Sequence, residues 1–381
     1  MSWQQQPSTE PEVVAAIARM SADLHQAWDH AVSTDHELAV DLAADIYDFA
    51  YARQRRDLLE WGLVVAGWQL EHPRMSRALA TAAAAAWGDG QLQEALRLAQ
   101  RGLAAGRGAD DPVTARSMVQ SANVAMFGGR QDEAAERFAR AGELYLAAGE
   151  RIQSLMCQMS VCQALAYAGR ADEAVDRLRD LLASARAMGN PTAISWAYYL
   201  IGEALADSDL AGAMAAYRAA VDHGRRSDNR LFVMLARSAL VTLAARRQEP
   251  GNALEEFETV VEQWSDLRNE AAQWGVLTML VPLLVRVGDV RDALVLAGAV
   301  RANRDRQPLF DRHEPELMAC MEAARERIEP AEAEHLLATG AAMSAETAVA
   351  RARRGIGAAK EATRQAAGEA AREAVSPDRP G

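Results

Sequence analysis

Apolar residues recur three or four positions apart along most of the chain, with polar residues between them. Three such runs precede residue 74: Val13, Ile17, Met20, Leu24, Ala27 and Ala31; Leu38, Leu42, Ile46 and Phe49; and Leu58, Trp61, Val65 and Trp68. This spacing places apolar side chains on one face of an α-helix. Pro73 ends the third helix, because proline has no N–H to continue the ladder. No useful length of strand-like alternation occurs, so the pattern predicts an all-α chain.

An alanine then recurs at a nearly fixed interval from Ala95 to Ala293. The six anchor positions are Ala95, Ala134, Ala174, Ala213, Ala253 and Ala293, so the steps between them are 39, 40, 39, 40 and 40 residues. Self-similarity at such a period is typical of a stacked helical-hairpin solenoid. Each unit is predicted to open with a first helix, turn at a glycine or polar residue, and begin a second helix near the anchor.

Bulky residues follow the anchors by four positions in the middle units. These residues are Phe138, Leu178, Tyr217 and Phe257. Residues four apart lie one helical turn apart on the same face, so the small anchor lets two helices approach while the bulky side chain fills the gap. Both columns are therefore expected to be core packing.

These columns resemble the tetratricopeptide repeat, although the standard unit has about 34 residues and this one has 39 or 40. The longer unit is similar to the superhelical sensor domain of STAND-type ATPase transcriptional regulators. The segments His25–Trp28 and Arg56–Trp61 resemble the link that precedes the repeats in those proteins, and Ala293–Ala299 and Met343–Ala348 resemble their C-terminal cap. The resemblance implies a right-handed α-solenoid of antiparallel helical hairpins acting as a sensor.

The predicted organisation has four parts. Residues 1–10 are expected to be disordered, and residues 11–353 to form the solenoid. Within the solenoid, 11–73 are N-terminal helices, 74–305 are regular repeats and 306–353 are a cap. Residues 354–381 form an Ala-rich polar tail, either helical or disordered, with too few large apolar residues to bury a face.

Charge and composition narrow the partners. The formal net charge is 41 − 53 = −12, and no basic cluster is visible, so direct nucleic-acid binding is not expected. Lys360 is the only lysine, which leaves no phosphate-binding loop of the Gly-Lys-Ser/Thr type. Three cysteines are too few for a disulfide framework. The start of the chain is polar and no run of about 18 apolar residues occurs, so a cytoplasmic protein without membrane contact is expected.

Catalytic and metal chemistry find little support. The seven histidines include no His-Glu-x-x-His pair, and no strand-to-helix nucleophile elbow is present. Acidic pairs such as Asp132-Glu133 fall in the first turn of a predicted second helix, where the helix dipole favours them without any acid–base role. We therefore expect no enzyme, no metal and no cofactor.

The first helices are expected to line the concave face of the solenoid and to bind a peptide, a protein or a small ligand. Transferring the tetratricopeptide inner-face positions selects Arg116, Asn123, Gln163, Tyr167, Tyr198, Thr242 and Arg246. An ordinary solvated inner face is the competing interpretation.

Trp61 and Trp68 lie seven residues apart and share a helical face. Packing between hairpins and a homodimer interface both fit this pattern. The alternative function is accordingly an oligomerisation or assembly scaffold without a small-molecule site.

Overall fold

A computed structural model of the chain describes residues 10–108, 111–245, 250–308 and 310–375. All regular structure in these ranges is helical, with twenty α-helices and two short 3-10 turns. Successive helices pair as antiparallel hairpins, so the predicted all-α solenoid of stacked hairpins is confirmed. The chain divides into two compact units between Leu240 and Val241.

Unit 1 contains thirteen complete helices and the start of the fourteenth. Their bounds are α1 Glu10–Arg19, α2 Ser21–Thr34, α3 His36–Asp45, α4 Tyr47–Arg53, α5 Arg56–Ala66, α6 Met75–Gly88, α7 Leu92–Ala104, α8 Ala115–Phe127, α9 Gln131–Ala147, α10 Arg151–Tyr167, α11 Ala171–Ala187, α12 Pro191–Leu205, α13 Leu210–Arg226 and α14 Arg230–Ala245. The hairpins α6/α7, α8/α9, α10/α11 and α12/α13 are the repeats that the alanine ladder predicts.

Unit 2 contains the rest of α14 and the remaining helices. Their bounds are α15 Pro250–Asp266, α16 Glu270–Val287, α17 Val290–Ala302, α18 Phe310–Arg325, α19 Pro330–Ala341 and α20 Ala345–Val375. Within it, α17 packs against α16 and α19, and α20 packs along α15, α16 and α17.

The anchor column is buried throughout, as predicted. Each of the six anchor alanines is at most 1% exposed, and the bulky side chains of Phe138, Leu178, Tyr217 and Phe257 are equally buried. The ring of Tyr217 lies against Gly202 of the preceding helix, where an added β-carbon would be only 2.6 Å from Cε1 of the ring. A small residue opposite a bulky one thus sets how closely α12 and α13 approach.

The turns also follow the predicted chemistry. Gly169 and Gly288 have φ values of 83° and 92°, the left-handed conformation that ends a helix and that glycine adopts without steric cost. Asn190 and Asn269 cap the next helices by accepting hydrogen bonds from the N–H groups of Ala193 and Ala272 at 2.7 and 2.9 Å. Local residues therefore determine where these helices begin and end.

The N-terminal boundary differs from the prediction. Residues 1–9 lie outside the described part, but Glu10 opens α1 and is fully buried. Its carboxylate accepts hydrogen bonds from the backbone N–H and the hydroxyl of Thr192, at 3.2 and 2.5 Å. The Arg53 guanidinium lies 3.5 Å away. Burial raises the pKa of Glu10, and Thr192 and Arg53 oppose that rise. A contact 182 residues away in sequence holds Glu10 in place, which local patterning could not reveal.

The C-terminal part is helical, one of the two alternatives for it, and it packs more closely than its composition indicated. Helix α20 runs through the predicted boundary at residue 354 without a break, and Ile356 and Ala359 are buried against the unit. Lys360 donates to the Glu258 carboxylate of α15 at 2.7 Å. Small residues let α20 lie close to α15, so this segment does bury a face despite having few large apolar side chains. Residues 376–381 lie outside the described part.

Helix α16 is the one helix in the described ranges that is long and apolar enough to cross a membrane. Half of its residues are buried within the protein, and it contacts α15, α17, α18 and α20. Its hydrophobic character is accounted for by this packing.

Candidate functional site

The face of the first helices that the transferred positions select is best defined in α8 and α10. In α8 it comprises Arg116, Gln120, Asn123 and Phe127, and 40 residues later in α10 it comprises Met156, Ser160, Gln163 and Tyr167. These positions are spaced by four, three and four residues, so they share one side of each helix. We refer to them together as the inner face of unit 1. Four of the predicted site residues lie on this inner face. Arg116 is at its N-terminal level, and Asn123, Gln163 and Tyr167 are at its middle and C-terminal levels.

The N-terminal level of this face is covered by α3 and α4. Arg116 is 4% exposed, and its guanidinium donates to the Ala44 carbonyl at 2.8 Å and to the Asp48 carboxylate at 3.0 Å. It also lies 4.5 Å from the centre of the Tyr47 ring, a cation–π distance. Gln120 donates to the Tyr47 hydroxyl at 2.6 Å. Arg116 therefore binds another part of its own chain.

The charged pair at this level lies in a buried setting, and burial raises the pKa of the Asp48 carboxyl although the Arg116 charge opposes the rise. Burial lowers the pKa of Arg116, but Asp48 together with Tyr145, Tyr47 and Glu150 outweighs this, and the pKa of the guanidinium is raised overall. Such a pair stabilises its own geometry rather than offering a free cation to a ligand.

The C-terminal level of the inner face is partly exposed and aromatic. Trp87, Phe127 and Tyr167 stand at the ends of the successive first helices α6, α8 and α10, and all three are partly exposed. Their ring centres are 5.3 Å apart for Trp87 and Phe127 and 6.3 Å apart for Phe127 and Tyr167. These distances are those of favourable aromatic pairs. We call these three residues the aromatic strip.

A chain of hydrogen bonds fixes one end of the aromatic strip. The Tyr167 hydroxyl donates to the Glu203 carboxylate at 3.0 Å and accepts from the Gln163 amide at 3.1 Å. Tyr217 donates to the other oxygen of Glu203 at 2.6 Å. Burial and the Glu203 charge raise the pKa of Tyr217 well above its usual value, so it remains a donor. Gln163 itself is buried and acts beneath Tyr167, whereas Asn123 is partly exposed beside Phe127.

Glu203 is a residue that the sequence reasoning did not select. It lies 36 residues after Tyr167 and ten before its anchor alanine, outside the transferred inner-face positions. The only available signal was a carboxylate within an otherwise apolar first helix, flanked by Gly202 and Ala204.

Tyr198 is placed away from the aromatic strip. Its hydroxyl accepts a hydrogen bond from Arg186 of α11, and its ring stacks on His223 of α13 at 5.7 Å. Both partners belong to second helices, so the structure does not group Tyr198 with Asn123, Gln163 and Tyr167. The longer repeat changes the helical phase, and the transferred position falls on a different side of α12.

The two remaining predicted residues belong to unit 2. Thr242 lies in α14, where its hydroxyl donates to the Met279 sulfur at 3.2 Å. It lines a cavity of about 260 Å³ between the first helices α14, α16 and α18. Arg246 falls outside the described residues.

Trp61 and Trp68, the pair that suggested an interface, each stack on a ring of the same chain. Trp61 is buried and stacks on Trp28 with ring centres 4.7 Å apart and an interplanar angle of 2°. Trp68 stacks on His36 at 4.2 Å. Core packing accounts for Trp61, so a dimer interface that uses its ring would have to open this stack.

Side chains that could bind a metal ion or act as nucleophiles are the next candidates for a functional site. Within the described ranges, His, Cys, Asp and Glu side chains form no group of three or more that could hold a metal ion. Cys157 and Cys162 are buried free thiols, and burial raises the pKa of Cys157 to about 12. Neither thiol is in the electropositive, accessible setting that a nucleophile needs.

Comparison with known proteins supports the fold. No protein-family model and no curated protein matches the chain. Among solved structures, a Rap protein complexed with competence and sporulation factor aligns with a TM-score of 0.59 at 12% identity, covering 90% of this chain and all of that one. A putative kinesin light chain of Podosopora anserina with TPR-like repeats is 18% identical, with a TM-score of 0.30 over 55% of this chain and 95% of that chain. At 12% identity the likeness to the Rap protein shows the fold alone, an all-α chain of stacked helices.

Proposed function

We propose that this chain is a non-catalytic binding module of a cytoplasmic signalling or transcriptional regulator, and that it takes an extended peptide on the inner face of unit 1. The peptide lies at the C-terminal level, over Asn123 and the aromatic strip. The observation that carries the proposal is that this face already binds polypeptide within the molecule, one level below.

The internal contact supplies the chemistry. Side chains of the first helices donate to main-chain carbonyls of α3: Arg116 to Ala44 at 2.8 Å and Thr81 to Ala43 at 2.8 Å. These donors hydrogen-bond the main chain of α3 without regard to its side chains, whereas the Tyr47 ring packs beside Arg116. A peptide bound at the C-terminal level would make the same two kinds of contact, hydrogen bonds to its main chain and packing against aromatic rings. The Asn123 amide would supply the hydrogen bonds.

The aromatic strip supplies the apolar part of the site. Large rings on successive helices give contact area at low entropic cost, and tyrosine and tryptophan dominate the binding energy of many interfaces. Tyr167 is held in position by Gln163 and Glu203. A pre-positioned ring loses less side-chain freedom on binding, which favours affinity.

Two resemblances support the regulatory role. The 39- to 40-residue repeat and its flanking segments resemble the sensor domain of STAND-type regulators, and the Rap protein of similar fold is complexed with competence and sporulation factor. In a regulator, a bound peptide would stabilise one arrangement of the first helices and so shift the population that a partner or an effector domain reads.

Affinity selection from a synthetic library of free hexapeptides, followed by calorimetric titration of the selected peptides, tests the proposal. Gln163→Ala combined with Tyr167→Ala should weaken binding by about tenfold or more, which corresponds to about 1.4 kcal/mol. Tyr198→Ala is the matched control, because it removes a partly exposed tyrosine on another side of the first helices and should leave affinity unchanged. Unaltered binding by the double variant, or failure to select any peptide, would rule out this site.

A further inference from the structure

We propose that unit 2 carries a second binding site, for a small organic acid with one carboxylate and an apolar body. The site is the cavity of about 260 Å³ lined by α14, α16 and α18. It is formed by residues of unit 2 alone, so the inference is independent of the peptide site in unit 1.

The cavity is bounded by apolar side chains on all three helices. Ala245 of α14, Met279 and Leu283 of α16 and Leu317 of α18 contribute to its wall. Pro282 stands between Met279 and Leu283, and its ring replaces the N–H that would bond the Thr278 carbonyl one turn earlier. Pro282 itself lines the cavity, at the turn of α16 where the helical ladder lacks an N–H donor.

Most polar groups of the cavity wall are already engaged by the protein. The Thr278 hydroxyl lies 2.7 Å from the Gln307 amide oxygen and 3.0 Å from the Trp274 carbonyl, and the Thr242 hydroxyl bonds Met279. His313 and Glu316 also interact with other residues. These four polar side chains therefore already have interaction partners within the protein.

Arg286 is the exception. It lies one turn after Pro282 on the same side of α16, is exposed, and lines the cavity. Within the ranges that the structure describes, it makes no ion pair and no side-chain hydrogen bond. A guanidinium at the edge of an apolar cavity is suited to a carboxylate, which it can bind through two parallel hydrogen bonds.

Size and charge define the class of ligand more closely. A volume of about 260 Å³ lies at the small end of ligand cavities, which favours a short-chain or single-ring acid over a drug-sized molecule. Glu316 also lines the cavity, so a second negative charge on the ligand would meet a like charge. A monocarboxylate is therefore favoured over a dicarboxylate or a phosphate.

Calorimetric or NMR titration of the full chain with hexanoate and phenylacetate tests this site. We expect saturable binding of at least one acid, weakened by about tenfold or more in Arg286→Gln. Hexanamide, which lacks the charge, and adipate, which adds a second carboxylate, should each bind at least about tenfold more weakly than hexanoate.

Three matched variants keep the test decisive. Arg218→Gln removes an exposed arginine of unit 1 that makes no ion pair among the described residues, and it should leave acid binding unchanged. Gln163→Ala with Tyr167→Ala should also leave it unchanged, which separates this site from the peptide site. A melting temperature of Arg286→Gln close to that of the parent protein shows that any loss is not unfolding. The proposal is overturned if neither acid binds saturably in the millimolar range, if Arg286→Gln binds as the parent does, or if hexanamide equals hexanoate.

Discussion

The guanidinium of Arg116 and the carboxylate of Asp48 form an ion pair at 3.0 Å across 68 residues of sequence, with the two side chains 4% and 15% exposed. This pair joins the start of a repeat helix to a helix that precedes the repeats. It lies at the level of the inner face that α3 and α4 cover.

Removing one partner of this pair should be costly. Asp48→Ala leaves the Arg116 charge buried without its carboxylate, and we expect a loss of about 3–5 kcal/mol in the free energy of unfolding. Adding Arg116→Met should restore much of that loss, because the uncompensated charge is removed. Asp45→Ala is the control: Asp45 also pairs with an arginine, Arg74, but is 67% exposed, so a change within about 1 kcal/mol is expected. Denaturant titration measures all three, and equal losses for Asp48→Ala and Asp45→Ala would contradict the assignment.

Gly202 should tolerate no side chain. An alanine methyl group there would overlap the Tyr217 ring at 2.6 Å, so Gly202→Ala should cost about 1–3 kcal/mol through forced repacking. Gly275 is also inside a helix, but an added β-carbon would meet no atom within 4 Å. Gly275→Ala should therefore be neutral or stabilising by up to about 1 kcal/mol. The two melting temperatures should move in opposite directions or differ clearly, and a stabilising Gly202→Ala would show that α12 and α13 pack differently.

The tail helix should contribute to the stability of unit 2. Ile356 is fully buried although it follows the boundary that the sequence suggested, and Ile356→Ala should cost about 2–5 kcal/mol. Leu146→Ala removes a comparable side chain that is 58% exposed and should change stability by less than about 0.5 kcal/mol. Hydrogen exchange along α15 and α20 would locate the effect. Equal and small changes in both variants would mean that α20 does not pack on the unit.

The cysteines should differ in reactivity. Burial raises the pKa of Cys157 to about 12, so the thiol stays protonated at pH 8, and alkylation requires the thiolate. Cys320 is partly exposed and should be labelled first by iodoacetamide in the native protein, with all three labelled after denaturation. Mass spectrometry of digested protein gives the order, and early labelling of Cys157 would contradict its burial.

The same shift has a consequence for stability at high pH. Because the folded state holds the Cys157 proton more tightly than the unfolded state, the unfolded state loses its proton first as the pH rises. The free energy of unfolding should therefore fall between about pH 9 and about pH 12. Cys157→Ala should reduce this slope, which denaturant titration at several pH values can measure.

The sequence by itself determined the repeat and its packing. A small residue every 39 or 40 positions, with a bulky residue one turn later, can be buried only by stacking helical hairpins, and the anchors from Ala95 to Ala293 are buried as that logic requires. Glycine and polar turn residues marked the helix ends, because those conformations and caps depend on local residues alone.

Tertiary structure decided what each face of the first helices does. Glu10 and Asp48 acquire their roles from partners 182 and 68 residues away in sequence. Ile356 is buried in α20, which packs against α15, α16 and α17. No local pattern encodes such contacts. Distant contacts also separate the predicted site residues from one another. Arg116 is covered by α3 and α4, Tyr198 contacts the second helices α11 and α13, and Tyr167 is partly exposed on the aromatic strip. Periodicity gives the phase of a helix to within a residue or so, whereas occupancy of its faces depends on how distant segments fold back against it.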